Sequence, residues 1–231
     1  MNGQGEISML NESPVLAFLN KMIDLIILNI LFLVCCVPVV TIGPALTALY
    51  AVSLRSVRYG DGYVVSTFWK SFKENFRQSF VAGILLLFSA VLLFADVWFW
   101  SKADLGIMAK GMLVISISIA FFVFIVFLWL FPVLAKIENS LWANLKNAAA
   151  MAVGHFFPYT FCCALITIAG AYMIYSSMVA DIIFVLLGAA LSAYVKAFFY
   201  YKVFAKYMDE NPASEDDPLY GNPAGNGQGN S

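Results

Sequence analysis

Charged side chains are scarce in this sequence, and their scarcity excludes an ordinary water-soluble domain. Only 12% of the 231 residues are charged, whereas 62% are hydrophobic; typical soluble domains have about 25% and about 45–50%. A soluble chain of this size cannot bury so much apolar surface. The few cations lie at the ends of apolar segments rather than on one soluble face, which argues against nucleic-acid binding. The lipid bilayer is therefore the expected partner of most of the chain.

Residues that carry catalysis or bind metals are equally rare. The single histidine, His155, has no serine, cysteine or aspartate beside it, and the four cysteines form the adjacent pairs Cys35-Cys36 and Cys162-Cys163. Adjacent cysteines point in different directions on a helix, and no CxxC or cysteine–histidine spacing typical of metal sites is present. We therefore expect the cysteines to pack as small apolar residues. The sequence predicts no enzyme, no catalytic residue, no metal site and no cofactor.

Polar composition separates two tails from one helical domain. Residues 1–13 are polar and are expected to form a flexible N-terminus, whereas residues 14–207 are expected to form a membrane-embedded helical domain. Residues 208–231 are rich in proline, glycine and asparagine and contain five acidic residues but no basic one. Such a composition cannot bury enough apolar surface to fold, so it predicts an acidic disordered tail.

Two prolines interrupt the first long apolar segment. A helix that begins at Pro14 is expected to end at Pro38, because proline is poorly accommodated inside a straight helix. A new helix is expected to begin at Pro44, with Thr41 in the turn and Gly43 providing backbone freedom. The predicted structural hinge therefore comprises Pro38, Thr41, Gly43 and Pro44.

The two helices after the hinge are predicted to lie at the membrane surface. The first, from Pro44 to about residue 58, is amphipathic, which favours an interfacial position over a full crossing. The second, about residues 64–77, has phenylalanines four residues apart on one side and cations on the others. This pattern is typical of a basic helix at lipid headgroups. Both helices contribute to a predicted basic surface at the membrane: Arg55, Arg58, Lys70, Lys73 and Arg77.

The remaining apolar segments complete an all-α, polytopic membrane bundle of about five transmembrane helices. The later four cover about residues 80–100, 111–131, 159–178 and 182–204, each near the roughly 20 residues that a crossing requires. The span that begins at residue 111 is expected to end at Trp129 and Pro132. A helical segment, residues 136–157, is expected to connect it to the next.

The distribution of cations predicts orientation. Ten cations lie on the side of the basic helices, and Lys21, Lys102 and Lys110 lie on the other, so the first side is predicted to be cytoplasmic. This places the N-terminus outside and the C-terminus inside. An alternative with six crossings lets residues 22–37 and 39–54 each span the membrane. Each would then have about 16 residues, fewer than the roughly 20 expected for a full crossing.

Four polar residues fall within predicted spans and are candidate intramembrane sites. Ionisable residues inside a membrane are costly, so each is a candidate for function. Asp24 shares a helix face with Lys21, which also suits an interfacial pair. For Lys196 we prefer a stem that extends to the interface, assisted by Tyr200; the alternative is a cation lining an internal cavity for an anionic or hydroxylated ligand. The four candidates are Asp24, Asn29, Asp96 and Lys196.

Several segments resemble the YesL-like family of bacterial membrane proteins, a domain of unknown function. The resemblance is carried by residues 29–32, by the run from Pro38 to Ala45 (Pro-x-x-Thr-x-Gly-Pro-Ala), and by residues 48–50, 72–78 and 145–148. It implies an integral protein of the cytoplasmic membrane, mostly of Gram-positive bacteria, often encoded beside carbohydrate importers and their sensors. No activity or catalytic residue is established for that family, so none is transferred.

Two functions from different classes are compatible with this sequence. The preferred one is a non-enzymatic accessory or regulatory membrane component linked to carbohydrate uptake, with an ABC-type carbohydrate importer as partner. The alternative is a small-molecule transporter in which Asp24, Asn29, Asp96 and Lys196 line one path.

Overall fold

The protein, described by a computed structural model, is largely helical in the residues that the structure describes: 14–60, 63–103, 106–154, 159–176 and 187–207. The predicted N-terminal and C-terminal tails and His155 lie outside these residues. The described residues form eight α-helices and one short 3₁₀ helix, Val39–Thr41. The α-helices are α1 (Pro14–Cys36), α2 (Ile42–Tyr59), α3 (Val64–Glu74), α4 (Phe76–Lys102), α5 (Ile107–Lys136), α6 (Leu141–Gly154), α7 (Phe161–Ser176) and α8 (Ala189–Tyr207).

Four helical segments in the described residues are long and apolar enough to cross a membrane: Phe18–Cys36, Val39–Tyr59, Phe76–Lys102 and Ile107–Lys136. Many large apolar side chains on α1, α4 and α5 are exposed, as expected of helices surrounded by acyl chains rather than water. The prediction of an all-helical membrane bundle is confirmed. The predicted fourth and fifth spans overlap α7 and α8, which are not among these four segments, and residues 177–186 lie outside the described residues. Val39–Tyr59 was predicted not to cross, so the predicted set of five spans is not confirmed, and the alternative in which this segment also spans agrees better with its length.

At the hinge, α1 ends at Cys36 and α2 begins at Ile42, with the 3₁₀ turn between them. Thr41 Oγ1 lies 2.6 Å from the carbonyl oxygen of Cys35 and 2.7 Å from that of Pro38. A hydroxyl donates one hydrogen, so these two carbonyls share it. Thr41 therefore supplies a donor to the Cys35 carbonyl at the end of α1, which has no helical partner, whereas the Pro38 carbonyl also accepts from the Thr41 amide at 3.0 Å.

Gly43 is needed for a reason other than the predicted backbone freedom. It has ordinary helical geometry within α2, but a Cβ atom there would lie 2.1 Å from the carbonyl oxygen of Ser79 and 2.9 Å from the Cα of Gly83. Beside this contact, the hydroxyls of Thr47 and Ser79 lie 2.8 Å apart. Gly43 and Thr47 on α2 thus face Ser79 and Gly83 on α4, a pair of small residues four apart on each helix. Such pairs let two membrane helices approach closely.

The prediction that α2 lies along the membrane surface is wrong. Helix α2 is the centre of the bundle and packs against α1, α3, α4, α5 and α8. Thirteen of its 18 residues are buried. The amphipathic pattern misled the sequence argument because the polar side of α2 also packs against protein. Its hydroxyls bond to neighbouring groups, as when Ser53 Oγ donates to the Leu49 carbonyl oxygen at 2.8 Å.

The position predicted for Lys21 is also wrong. Its amine donates to the hydroxyl of Ser56 and lies 3.4 Å from the Ser56 carbonyl oxygen. Helix α1 therefore pairs with α2 in antiparallel fashion, and Lys21 lies at the same end of the pair as Arg55 and Arg58. Lys21 was assigned to the opposite side on the assumption that α2 does not run back alongside α1.

Helices α3 and α4 are nearly continuous. Only Asn75 separates them, and its carbonyl oxygen still accepts from the Ser79 amide at 2.9 Å. The predicted phenylalanine stripe forms one series of ring contacts across this junction, with centroids 5.5–6.1 Å apart. Phe68 is fully buried, whereas Lys70 and Lys73 on the other faces are exposed.

Helix α5 continues through Pro132 and ends at Lys136 rather than at Trp129. Proline has no amide hydrogen, so the carbonyl of Leu128, four residues earlier, loses its helical partner. The hydroxyl of Tyr200 on α8 donates to that carbonyl oxygen at 2.9 Å. A partner from another helix therefore satisfies the carbonyl, which is how membrane helices tolerate an internal proline.

Candidate functional site

Lys196 lies inside the bundle, on helix α8. Its side chain is only 6% exposed, its Nζ donates to Thr167 Oγ1 on α7 at 3.3 Å, and it lies 5.6 Å from the centroid of the Tyr50 ring on α2. This last distance is within the range of cation–π contacts. The preferred prediction, a stem that extends to the interface with help from Tyr200, is therefore wrong. Tyr200 instead bonds to Leu128.

The amine of Lys196 is incompletely satisfied by the described residues. A lysine ammonium has three N–H donors, and among the described residues only Thr167 provides an acceptor. The Thr167 hydroxyl in turn donates to the Cys163 carbonyl oxygen at 2.8 Å, which leaves its lone pairs for Lys196. A cation with one neutral hydrogen-bond partner and one aromatic ring is a costly group to bury.

A cavity of about 190 Å³ adjoins this amine. It lies between α2, α4, α5, α7 and α8, and its polar lining comes from Tyr50, Thr167 and Lys196. The remaining walls are apolar: Leu46, Leu86, Phe124, Phe127, Leu128 and Phe131. An apolar pocket with a few convergent polar groups is the usual form of a small-molecule site. This arrangement is closer to the alternative interpretation of Lys196, a cation that lines a cavity, and the cavity is partly open at the surface of the bundle.

The four polar candidates do not come together. Asn29 is fully buried, and its Oδ1 accepts from the Ala190 amide at the start of α8 at 2.9 Å. Asp96 accepts from the indole Nε1 of Trp100, one turn later on α4, at 3.1 Å. Asp24 is half-buried on α1. Asn29 and Asp96 thus have hydrogen-bond partners among the described residues, and Lys196 adjoins the cavity described above.

The predicted basic surface is divided by the fold. Arg55 is only 9% exposed, and its guanidinium carbon lies 5.4 Å from the centroid of the Tyr63 ring. It is therefore not a surface residue. Lys73 and Arg77 are exposed near the junction of α3 and α4. Lys70 is exposed on the same segment, and Arg58 is half-buried beside the ring of Tyr59.

The described residues contain no disulfide and no cluster of metal ligands. All four cysteines are free thiols that are buried or half-buried within α1 and α7. No group of three or more metal-ligating side chains forms among the described residues.

Sequence reasoning missed two residues of the cavity, Tyr50 and Thr167. Both lie in apolar helices where an isolated tyrosine or threonine is common, so neither differs from its surroundings in the sequence. The only available signal was Lys196, a cation within an apolar run that needs a partner.

Comparison with known proteins supports the resemblance found in the sequence. Residues 25–97 match a family described as "Protein of unknown function, DUF624". The chain is 30% identical over 124 residues to "Uncharacterized protein YesL" of Bacillus subtilis (strain 168). That alignment covers 53% of this chain and 54% of the relative, so the chain spans about half the length of the curated relative that it matches. No solved structure matches the chain.

The family match covers only part of the candidate site. Residues 25–97 include the hinge, the contact of Gly43 with α4 and, in the cavity, Leu46, Tyr50 and Leu86. Thr167 and Lys196 lie outside the matched segment. Residues 25–97 of the chain are thus similar to the DUF624 family, and 124 of its residues are similar to part of YesL; neither the family nor that relative has an assigned function.

Proposed function

We propose that this protein is a non-enzymatic accessory or regulatory component of a bacterial cytoplasmic membrane that acts with an ABC-type carbohydrate importer. The observation that carries the proposal is the separation of the polar intramembrane residues. Asn29 and Asp96 bond within the bundle at different places, and neither lines the cavity beside Lys196. A transporter needs polar groups along one path, so this arrangement favours the accessory role.

The carbohydrate link rests on the YesL-like resemblance, since such proteins are often encoded beside carbohydrate importers. The basic segment around the junction of α3 and α4 is the proposed contact surface. Lys73 and Arg77 are exposed there, and exposed cations favour an acidic partner surface through complementary charge. The proposed orientation places this surface and the C-terminus in the cytoplasm.

Uptake of radiolabelled sugar separates this role from transport by the protein alone. Purified protein in proteoliposomes is expected to accumulate no sugar, whereas a bacterial strain that lacks the protein is expected to import less of the sugar carried by the partner importer. Accumulation by the purified protein alone would overturn the accessory role. Unchanged uptake in the deletion strain would contradict the link to the importer.

Charge reversal tests the contact surface. The variants Lys73→Glu and Arg77→Glu are expected to lower uptake as the deletion does, because they remove the complementary charge. Lys102→Glu is the matched control, since Lys102 is also exposed but lies at the far end of α4. An equal effect of all three variants would argue against a contact at the α3–α4 junction.

A further inference from the structure

A second cavity adjoins the first one. It has a volume of about 310 Å³ and lies between α4 and α5. Leu86, Phe124 and Phe127 line both cavities, so the two share a wall. Together they fall in the range of about 300–1,000 Å³ that is typical of small-molecule sites.

The second cavity is long, narrow and apolar. On α4 its lining runs from Leu86 to Val97, which is about 16 Å at 1.5 Å per residue. Ala90 on α4 and Ala120 on α5 both line it, and their small side chains leave space between the two helices. The combined site therefore has one cationic end at Lys196 and an elongated apolar end between α4 and α5.

We propose that this combined site binds a single-chain fatty acid, with its carboxylate at Lys196 and its acyl chain in the groove between α4 and α5. The carboxylate supplies the acceptors that the amine lacks among the described residues. One ammonium group with two N–H donors left after its bond to Thr167 matches a monovalent carboxylate, whereas phosphate sites generally gather several donors. One groove between α4 and α5 suits one acyl chain, which favours a single-chain fatty acid over a diacyl lipid.

The headgroup, rather than the chain, must determine selectivity. Bilayer lipid tails are as apolar as the groove, so moving an acyl chain from the bilayer into the groove gains little free energy. Pairing a carboxylate with a buried amine in a water-poor cavity gains much more. The site should therefore distinguish a fatty acid from the alcohol of the same chain length. Binding at this site does not depend on the proposed link to an importer.

Photolabelling of the full-length protein in phosphatidylcholine nanodiscs tests the site. The probe is a palmitate analogue with a diazirine near the end of its chain. The expected labels lie in α4 and α5 around the groove, and unlabelled palmitate is expected to compete at least tenfold better than hexadecanol. Equal competition by hexadecanol, or better competition by dipalmitoyl phosphatidylglycerol or palmitoyl lysophosphatidylglycerol, would overturn the fatty-acid assignment.

Substitutions separate the two ends of the site. Lys196→Met is expected to lower labelling at least tenfold, because methionine keeps the volume and removes the charge. Lys202→Met is the matched control on the exposed side of α8 and is expected to label as the unaltered protein does. Ala120→Phe fills the groove and is expected to lower labelling without removing the cation.

Thermal unfolding of each variant in detergent shows whether it folds. Replacing a buried, poorly paired charge with an apolar residue of similar volume is neutral or stabilising, so Lys196→Met should fold at least as well as the unaltered protein. Full labelling of folded Lys196→Met would overturn the proposal, because the acyl chain would then bind without the cation, as it would to any apolar surface. Full labelling of Ala120→Phe would show that the acyl chain does not bind in the groove between α4 and α5, which would also overturn the proposal.

Discussion

The hydrogen bond between Tyr200 and Leu128 provides a quantitative test of how the bundle tolerates Pro132. The Leu128 carbonyl lacks a helical partner only because residue 132 is a proline, and the Tyr200 hydroxyl supplies a donor at 2.9 Å. Tyr200 is completely buried. The variant Tyr200→Phe removes the hydroxyl and keeps the ring, which contacts the rings of Trp129 and Tyr50.

The expected cost of Tyr200→Phe follows from what remains unsatisfied. A buried carbonyl without a donor costs about 1–3 kcal/mol, whereas hydrogen bonds measured between membrane helices average about 0.6 kcal/mol and reach about 1.7 kcal/mol. Because Leu128 has no alternative donor in its own helix, we expect a value of about 1.5 kcal/mol. In a Pro132→Ala background the alanine amide can bond to Leu128, and the cost should fall by roughly 1 kcal/mol.

A double-mutant cycle measures this difference. Tyr200→Phe, Pro132→Ala and the double variant would be unfolded in mixed detergent micelles with increasing sodium dodecyl sulfate. The fluorescence of Trp129, whose ring centroid lies 4.9 Å from that of Tyr200, reports on the same region. Tyr201→Phe is the matched control for loss of a hydroxyl from α8. An equal cost of Tyr200→Phe in both backgrounds would refute the explanation, because the hydroxyl would then not act through the missing amide.

Three further predictions concern the packing of the bundle. Gly43→Ala is expected to lower the free energy of unfolding by about 1–3 kcal/mol, because the added methyl group overpacks the contact with α4. Gly111→Ala is the matched control: its methyl group meets nothing within 4 Å, so the free energy of unfolding should rise by up to about 1 kcal/mol. Similar denaturation midpoints for both variants would contradict the close contact with α4. Asn29→Leu leaves a buried amide at the start of α8 without its acceptor and should cost about 1–3 kcal/mol in the same assay; unchanged stability would show that the amide finds another partner. In a cysteine-free background, Asn20→Cys and Tyr59→Cys should react with a membrane-impermeant maleimide from the same side, and reaction from opposite sides would rule out the antiparallel pairing of α1 and α2.

Local features of the fold were predictable because they depend on neighbours in sequence. The break at Pro38 follows from the chemistry of proline, and the end of α2 at Gly60 follows from its left-handed backbone, with φ of 73°. The start of α3 at Val64 also agrees with the sequence pattern. Each of these signals acts within a few residues, so one sequence contains enough information to locate them.

The placement of α2 was not predictable, because it depends on residues far away in sequence. An amphipathic helix with arginines at its end is equally compatible with a membrane surface and with the centre of a bundle. The position of α2 depends on Gly83, forty residues after Gly43, because this glycine allows α4 to approach the polar side of α2 closely. Once α2 is covered, Arg55 is buried with it, and a surface role for that residue is lost.

The candidate site also has one part that the sequence predicts and one that it does not. Lys196 was identifiable because a cation in an apolar run is expensive wherever it lies. Its surroundings were not identifiable, because Thr167 and Tyr50 contact it from other helices. The sequence pattern is equally compatible with a lysine side chain that extends to the interface and with an amine that lines a cavity. Only the packed structure shows that the amine remains inside, at 6% exposure.

The polar groups of this bundle differ in whether the fold requires them. Asn29 accepts from a backbone amide, and Tyr200 donates to a backbone carbonyl that a proline has left unpaired. In lipid such backbone groups must be satisfied, so the fold itself accounts for both side chains. Lys196 satisfies no backbone group, since its described acceptor is a threonine hydroxyl that already bonds to Cys163. Its removal should therefore spare folding and abolish binding, which makes Lys196 the position where structural and functional requirements can be measured separately.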